Sequence, residues 1–349
     1  MKTTSLFTSK PRLLVTLFVL ALLVLSACGN GAKATSSANS PSPDPSPSPP
    51  PPPPTPGPLD FPIPNPQGGP LPGQGAAVSG PLAYPLLVQI ENTADSRPQA
   101  GIEAGSVLFE YITEGGITRF SVLFHHVPGV VGPVRSARFV SVYLYHRFDA
   151  LLMASGGSKW TYDKIFADPG LPALINDFDH GVHFFRWGGR VAPHNLYTSQ
   201  AQLLSAAGAG ARPPNGGDFP RSNDWAGTEP AGSVTVPDVR TSLTYNGTTY
   251  DAVSDGQAQT DVVFGKVQPR SVVVMRVRQW ITNLTEDVTG GTARDFDLNS
   301  GGVADMYAKG TVIHGHWASP ADNKPIALTD AAGAAVSMPP GLVWVILQP

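Results

Sequence analysis

Cysteine is all but missing from this chain: its 349 residues include one, Cys28. No internal disulfide can staple anything beyond that position, and zinc held by thiolates is excluded there as well. Whatever folds must therefore be held by an ordinary hydrophobic core. A strong charge of either sign is lacking too. With 23 Lys and Arg against 26 Asp and Glu, the formal net charge is -3 at pH 7, which gives no global reason to expect nucleic acid as a partner. Past residue 25 no segment approaches the ~20 apolar residues needed to cross a bilayer. Lys and Arg are absent between Lys33 and Arg97, and proline crowds the same region: 17 of the chain's 37 prolines fall between Pro41 and Pro72.

The first thirty residues carry a different pattern. Lys2, Lys10 and Arg12 precede an apolar run from Leu13 to Leu25, broken only by Thr16, and Leu25-Ser26-Ala27-Cys28-Gly29 closes it. A charged start, an apolar stretch too short for a comfortable span and small residues at its end describe a secretory leader. The Leu-Ser-Ala-Cys tetrad resembles the bacterial lipobox. That resemblance implies cleavage after residue 27, a lipid on Cys28 as the first mature residue, and attachment to the extracytoplasmic face of the bacterial cell membrane. The Pro-, Ser- and Gly-rich stretch of residues 28–82 cannot bury a core and is expected to be a disordered stalk. In polyproline II geometry, Pro41 to Pro58 alone would span roughly 50 Å. A proline-rich ligand for a partner protein is the rival use of the same composition.

Beyond the stalk, Leu86 to Glu91 predicts a strand and Pro98 to Ala104 a short helix. The β-prone runs Ser106–Thr113 and Ile117–Val127, joined by Glu114-Gly115-Gly116, predict a hairpin. Helical spacing covers Ser136 to Ala150, and Leu151 to Ala154 reads as a buried strand. Thr198 or Ser199 should cap a helix running through Ala207 and stopped by Gly208 and Gly210. From Ala211 to Gly232 the periodicity fails, which suggests a boundary. Ser233–Val236, Thr241–Tyr245, a turn at Asn246-Gly247, Ser271–Val277, Gly310–Trp317 and Leu342–Leu347 then read as strands. The expected fold class is α+β: an αβ domain over residues 83–210, a connection over 211–232, and a smaller, mostly antiparallel β domain over 233–349.

Three segments are the most distinctive: Glu114-Gly115-Gly116-Ile117-Thr118-Arg119-Phe120, Gly132-Pro133-Val134-Arg135-Ser136-Ala137-Arg138 and Ala154-Ser155-Gly156-Gly157-Ser158. With Arg97-Pro98-Gln99-Ala100-Gly101, Pro193-His194-Asn195-Leu196-Tyr197-Thr198-Ser199, Gly315-His316-Trp317 and Pro340-Gly341-Leu342-Val343-Trp344, they resemble the YerB-like bacterial lipoproteins, also called domain of unknown function 3048. The resemblance spans nearly everything from Leu86 onward, is loosest at Gln257–Arg270, and implies a fold and a location but no reaction.

Chemistry must therefore be read from the residues. Arg135 and Arg138 flank an expected helix start with Ser136 as its cap. Helix N-termini and guanidinium forks both suit carboxylate or phosphate. Arg119, Arg190 and His194, with Arg186 nearby, could converge on the same place, and Gly156, Gly157 and Ser158 would let a ligand approach the backbone. The alternative is that these arginines pair internally with Glu110, Glu114 and Asp149 and hold the domain together.

Catalytic signatures are weak. Ser155 and Ser158 follow a strand, but the nucleophile-elbow pattern is absent, and Lys159 stands at the wrong spacing for a Ser-x-x-Lys pair. Asp177, Asp179, His180 and His183 form a candidate metal cluster in a loop, and His314 with His316 could share a metal from one strand face, but two imidazoles without a placed third ligand make a poor site. His125 and His126 should point to opposite faces. Neither a metal nor a cofactor is expected. The sequence favours a membrane-anchored binding module for an anionic envelope ligand or partner protein. The rivals are an envelope hydrolase or phosphotransferase with Glu114 or Asp149 as base, and a plain scaffold.

Overall fold

The computed structural model describes residues 69–82, 84–167, 174–207, 218–319 and 324–349; the leader, Cys28 and the proline-rich stretch as far as residue 68 lie outside them. Among the described residues no helix is long and apolar enough to cross a membrane.

The chain is α+β, built on one mixed eleven-stranded sheet. Its strands, in chain order, are β1 (Leu86–Glu91), β2 (Val107–Ile112), β3 (Thr118–Phe124), β4 (Leu151–Ala154), β5 (Ile175–Asn176), β6 (Glu229–Pro230), β7 (Ser271–Arg276), β8 (Gly302–Ala308), β9 (Thr311–Ala318), β10 (Ala327–Asp330) and β11 (Val343–Gln348). They lie in the order β10-β9-β8-β7-β11-β2-β3-β1-β4-β5, with β6 pairing on β9. The last strand is central: β11 runs parallel to both β2 and β7. Both faces of the middle strands are covered, so these strands read as continuous apolar runs rather than as alternation. Leu86, Val88 and Ile90 join one core, which includes Val234, Val236, Leu243 and Tyr250 from the small antiparallel sheet over residues 233–258. Leu87, Phe109 and Leu123 join the other core, under α1 (Phe139–Arg147).

Two further helices, α2 (Lys159–Phe166) and α3 (Gln200–Ala207), complete the α-helices of the described residues. Ser199 caps α3 as expected: its hydroxyl accepts from Gln202 N at 3.4 Å while Gln202 Oε1 accepts from Ser199 N at 2.9 Å, a reciprocal capping box. The glycines expected to stop α3 fall outside the described residues.

Several local expectations need correction. Pro98–Ala104 forms no α-helix; Gly101 adopts φ +77° and only a 3₁₀ turn, Ile102–Ala104, follows. The α1 helix begins three residues later than its periodicity suggests. Residues 134–137 are instead drawn out beside β1 and the turn after β4: Arg135 N donates to Gln89 O at 2.9 Å and Ala137 N to Gly156 O at 2.9 Å. Ser136 is therefore not the cap. The first turn is closed at Arg138, whose N–H donates to Ser141 Oγ at 3.0 Å. Packing also begins earlier than Ala83. Leu71 is buried beside Ala100, Val130 and Tyr197, and Ser79 N and Leu82 N donate to Val127 O and His125 O.

Among the features that escaped the sequence reading is an antiparallel hairpin of strands Gln279–Thr285 and Thr292–Phe296. It rests on α1, with Tyr143 Oη donating to Asp295 Oδ1 at 2.8 Å and Phe296 edge-on to Tyr111 with centroids 6.0 Å apart.

Candidate functional site: an arginine-lined cleft

Strand alternation places the first arginine. In β3, Phe120, Val122 and Phe124 belong to the core beneath the small sheet, so Arg119, Ser121 and Leu123 face the α1 side. Ser121 meets Gln89, Tyr111 and Ser141 there in a buried knot, with Tyr111 Oη 2.8 Å from both Gln89 Oε1 and Ser121 Oγ. Arg119 sits at the end of this row, across the sheet from Glu91 and Tyr111. Arg135 arrives on the extended segment before α1, and Arg138 at the helix start. The β2–β3 turn brings Glu114. It needs φ +68° at Gly115 and +72° at Gly116, a backbone path that glycine takes without strain.

These groups line one cleft of about 880 Å³, formed between the β2–β3 turn, the 134–138 segment, the Ser155–Gly157 turn and the tip of the 279–296 hairpin. Of the residues singled out from the sequence, Arg119, Arg135, Ser136, Arg138 and Gly157 line it together. Gly156 is buried, with φ +65°, and a Cβ there would come within 2.7 Å of the Phe178 ring. Ser158 caps α2 by accepting from Thr161 N and donates to Glu286 Oε2 at 2.9 Å. Arg190 is engaged with backbone, donating to Ser96 O and, at 2.6 Å, to Pro98 O. His194 Nδ1 lies 2.9 Å from Glu91 Oε2. Neither Arg190 nor His194 lines the cleft.

Pairing differs among the three arginines. Arg138 forks onto Glu114, Nε to Oε2 at 2.8 Å and Nη2 to Oε1, with Glu286 Oε1 also 3.4 Å from Nε. Burial pulls the Glu114 carboxyl upward, but the hydrogen bond and charge of Arg138, backed by Arg119, outweigh it and hold the group at about 2. Glu286 is pushed up by burial, which Arg138 and the Ser158 and Thr161 hydroxyls only partly offset. Arg119 is 2% exposed; it donates to Ser136 O at 3.0 Å and stays 3.9 Å from Glu114. Burial first, then repulsion by Arg138, bring it down to about 10. Arg135 keeps 26% of its side chain exposed, with Glu91 Oε1 3.5 Å from Nε. Buried Nε–H donors of both Arg119 and Arg135 have no hydrogen-bond acceptor. Unmet buried donors are uncommon in folded proteins and mark places where a partner is missing.

Of the three carboxylates expected as internal partners, Glu114 pairs with Arg138 and lies 3.9 Å from Arg119. Glu110 accepts from Trp344 Nε1 and Thr241 Oγ1, each at 3.0 Å, while Asp149 is buried just past α1 and does not line the cleft. Sequence reasoning missed Glu91 and Glu286. It also missed Phe178 and Val288, two largely exposed apolar side chains on the cleft's lips. Ser155 donates to Asp177 Oδ2 at 3.1 Å and Asp179 accepts from Asn176 at 2.8 Å. His314 and His316 both lie exposed on β9, and His314 is bonded to Asp305 at 2.6 Å.

Comparison with known proteins supplies a family. Residues 74–212 match the description "Protein of unknown function (DUF3048) N-terminal domain", and residues 233–345 match the corresponding C-terminal domain. The Bacillus subtilis (strain 168) protein named "Putative lipoprotein YerB" is 30% identical over 280 residues, covering 76% of this chain and 81% of that one. The chain belongs to the DUF3048 family. A crystal structure of Bacillus subtilis YerB superimposes with a TM-score of 0.63 at 28% identity, over 77% of this chain and 91% of the other. The cleft draws on both matched segments of this DUF3048 protein: Glu114 to Pro193 come from the first and Glu286 to Gly291 from the second.

Proposed function

We propose that this chain is a lipid-anchored extracytoplasmic binding protein whose cleft takes an anionic group of an envelope component or partner. The anchor rests on the lipobox-like tetrad ending in Cys28 and on the lipoprotein name of the Bacillus relative. The proline-rich stretch would then lift the folded part off the membrane. Binding rests on one observation above the rest: beside an open cleft the buried Arg119 Nε–H has no hydrogen-bond acceptor, and Arg135 Nε–H makes no hydrogen bond and has Glu91 no nearer than 3.5 Å. A carboxylate or phosphate oxygen would satisfy them.

The scaffold reading draws support from Arg138, whose pairing with Glu114 and Glu286 is that of a structural tie. Arg135 separates the two readings. With the full chain in detergent, titration calorimetry against acetate, benzoate and inorganic phosphate should find binding by at least one anion. Arg135→Ala should weaken that binding by ~1.5–3 kcal/mol, the loss of a charge-assisted hydrogen bond, and leave thermal unfolding nearly unchanged. If no anion binds and Arg135→Ala lowers the melting temperature sharply, Arg135 is a structural group and the cleft is not an anion site.

A further inference from the structure

The walls of the cleft say more than that it accepts an anion. Its positive charge is already fully matched. Arg119, Arg135 and Arg138 stand against Glu114, Glu286 and Asp287 in the lining, and Glu91 lies behind Arg135. Arg138 is spent on Glu114, and Asp287 is turned into its own loop, accepting from Thr289 N and Gly291 N at 2.9 Å each. A doubly charged group entering here would face those carboxylates with little positive charge left to offset it. A single negative charge meets the same guanidinium groups with less of that repulsion.

The lips add a second constraint. Phe178 lies over the bare backbone of Gly156 and still presents 78% of its surface. Across the cleft Val288 is fully exposed at the hairpin tip, with Ile117 and Pro193 also in the lining. Exposed apolar side chains beside a few convergent polar groups are the usual make-up of a site for a molecule with an apolar body and one polar end.

Resting on the anion reading above, we infer that the ligand is a monoanionic carboxylate with apolar groups such as methyls beside the acid. Two sources share this chemistry, the free carboxyl end of a small-residue peptide and the acid of a lactyl-substituted sugar.

The test is a competition series on the full chain in detergent, read by titration calorimetry. The probes are N-acetyl-alanyl-alanine, its C-terminal amide, N-acetylmuramic acid, acetate and inorganic phosphate. At least one of the two larger carboxylates should bind tenfold or more tightly than the amide and than phosphate, and the tighter of the two names the source. Phe178→Ser should weaken that ligand at least fivefold and leave acetate unchanged. Arg135→Gln should weaken both together, which serves as the readout if Arg119→Gln fails to fold. Phosphate binding as tightly as the carboxylates and lost in Arg135→Gln would overturn the carboxylate assignment while leaving an anion site standing. No change on Phe178→Ser would overturn the apolar lip. Failure of every probe to bind would remove both this inference and the anion reading beneath it.

Discussion

At the residue scale, the same side-chain type does opposite work within one cleft. Arg138 is tied to two carboxylates, whereas Arg119 and Arg135 keep unmet donors. Removing one member of a buried pair strands the other, so Arg138→Met should lower stability by ~3–5 kcal/mol in urea unfolding at pH 7. Loss of under 1 kcal/mol would show that Glu114 and Glu286 find other partners. This contrast was half legible in the sequence. Three arginines beside paired glycines marked the place, because guanidinium and bare backbone both suit an anion. Which arginine pairs with what was hidden, since Glu286 is more than a hundred positions away from Arg138 on a hairpin with little pattern of its own. Arg190 and His194 looked like members by proximity in chain and type, but the former holds the backbone at Ser96 and Pro98 and the latter lies against Glu91.

At the scale of elements, strands with long apolar runs announced themselves, and β1, β4, β7 and β11 fall within a residue of their expected bounds. The 279–296 hairpin did not, because its outward side chains include Trp280 and Ile281 and its alternation is blurred. The α1 start was misplaced for a physical reason: Arg135 and Ala137 find hydrogen-bond partners in Gln89 and Gly156, which compete with helix formation. The position of β11 was also beyond the sequence, since its pairing with β2 spans more than two hundred residues. Trp344 shows what that position means. It is fully buried, donates to Glu110 Oε2 at 3.0 Å and stands edge-on to Phe120 with centroids 5.3 Å apart. Trp344→Ala should therefore cost ~3–5 kcal/mol, measured as a lower urea midpoint with an unchanged slope. A cost near 1 kcal/mol would mean that β11 is not the central strand in solution.

At the scale of the whole molecule, buried carboxyls give stability an unusual dependence on pH. Glu114 and Asp218 are both held at about 2. Burial pushes each up, but Arg138 and Arg119 for Glu114, and His125 and Arg221 for Asp218, outweigh it. A carboxyl lowered in the folded state stabilises above its unfolded pKa and loses that contribution as pH falls toward the folded value. Glu103 and Glu110 go the other way, raised by burial from 4.5 to about 7. Their contribution is complete below 4.5 and is lost as pH rises through 7. His314, raised by its hydrogen bond to Asp305, acts in the same direction. Stability should therefore climb from pH 2 to about 4.5 and decline from there to pH 7.5. Each raised glutamate accounts for up to ~3 kcal/mol of the decline. Glu110→Gln keeps the shape, removes the ionisation and leaves Glu103 in place, so it should shrink the decline by about half. Urea unfolding of both chains at pH 3, 4.5 and 7.5 measures this. A wild-type profile that is flat between 4.5 and 7.5 would mean that neither glutamate is kept from ionising by its burial.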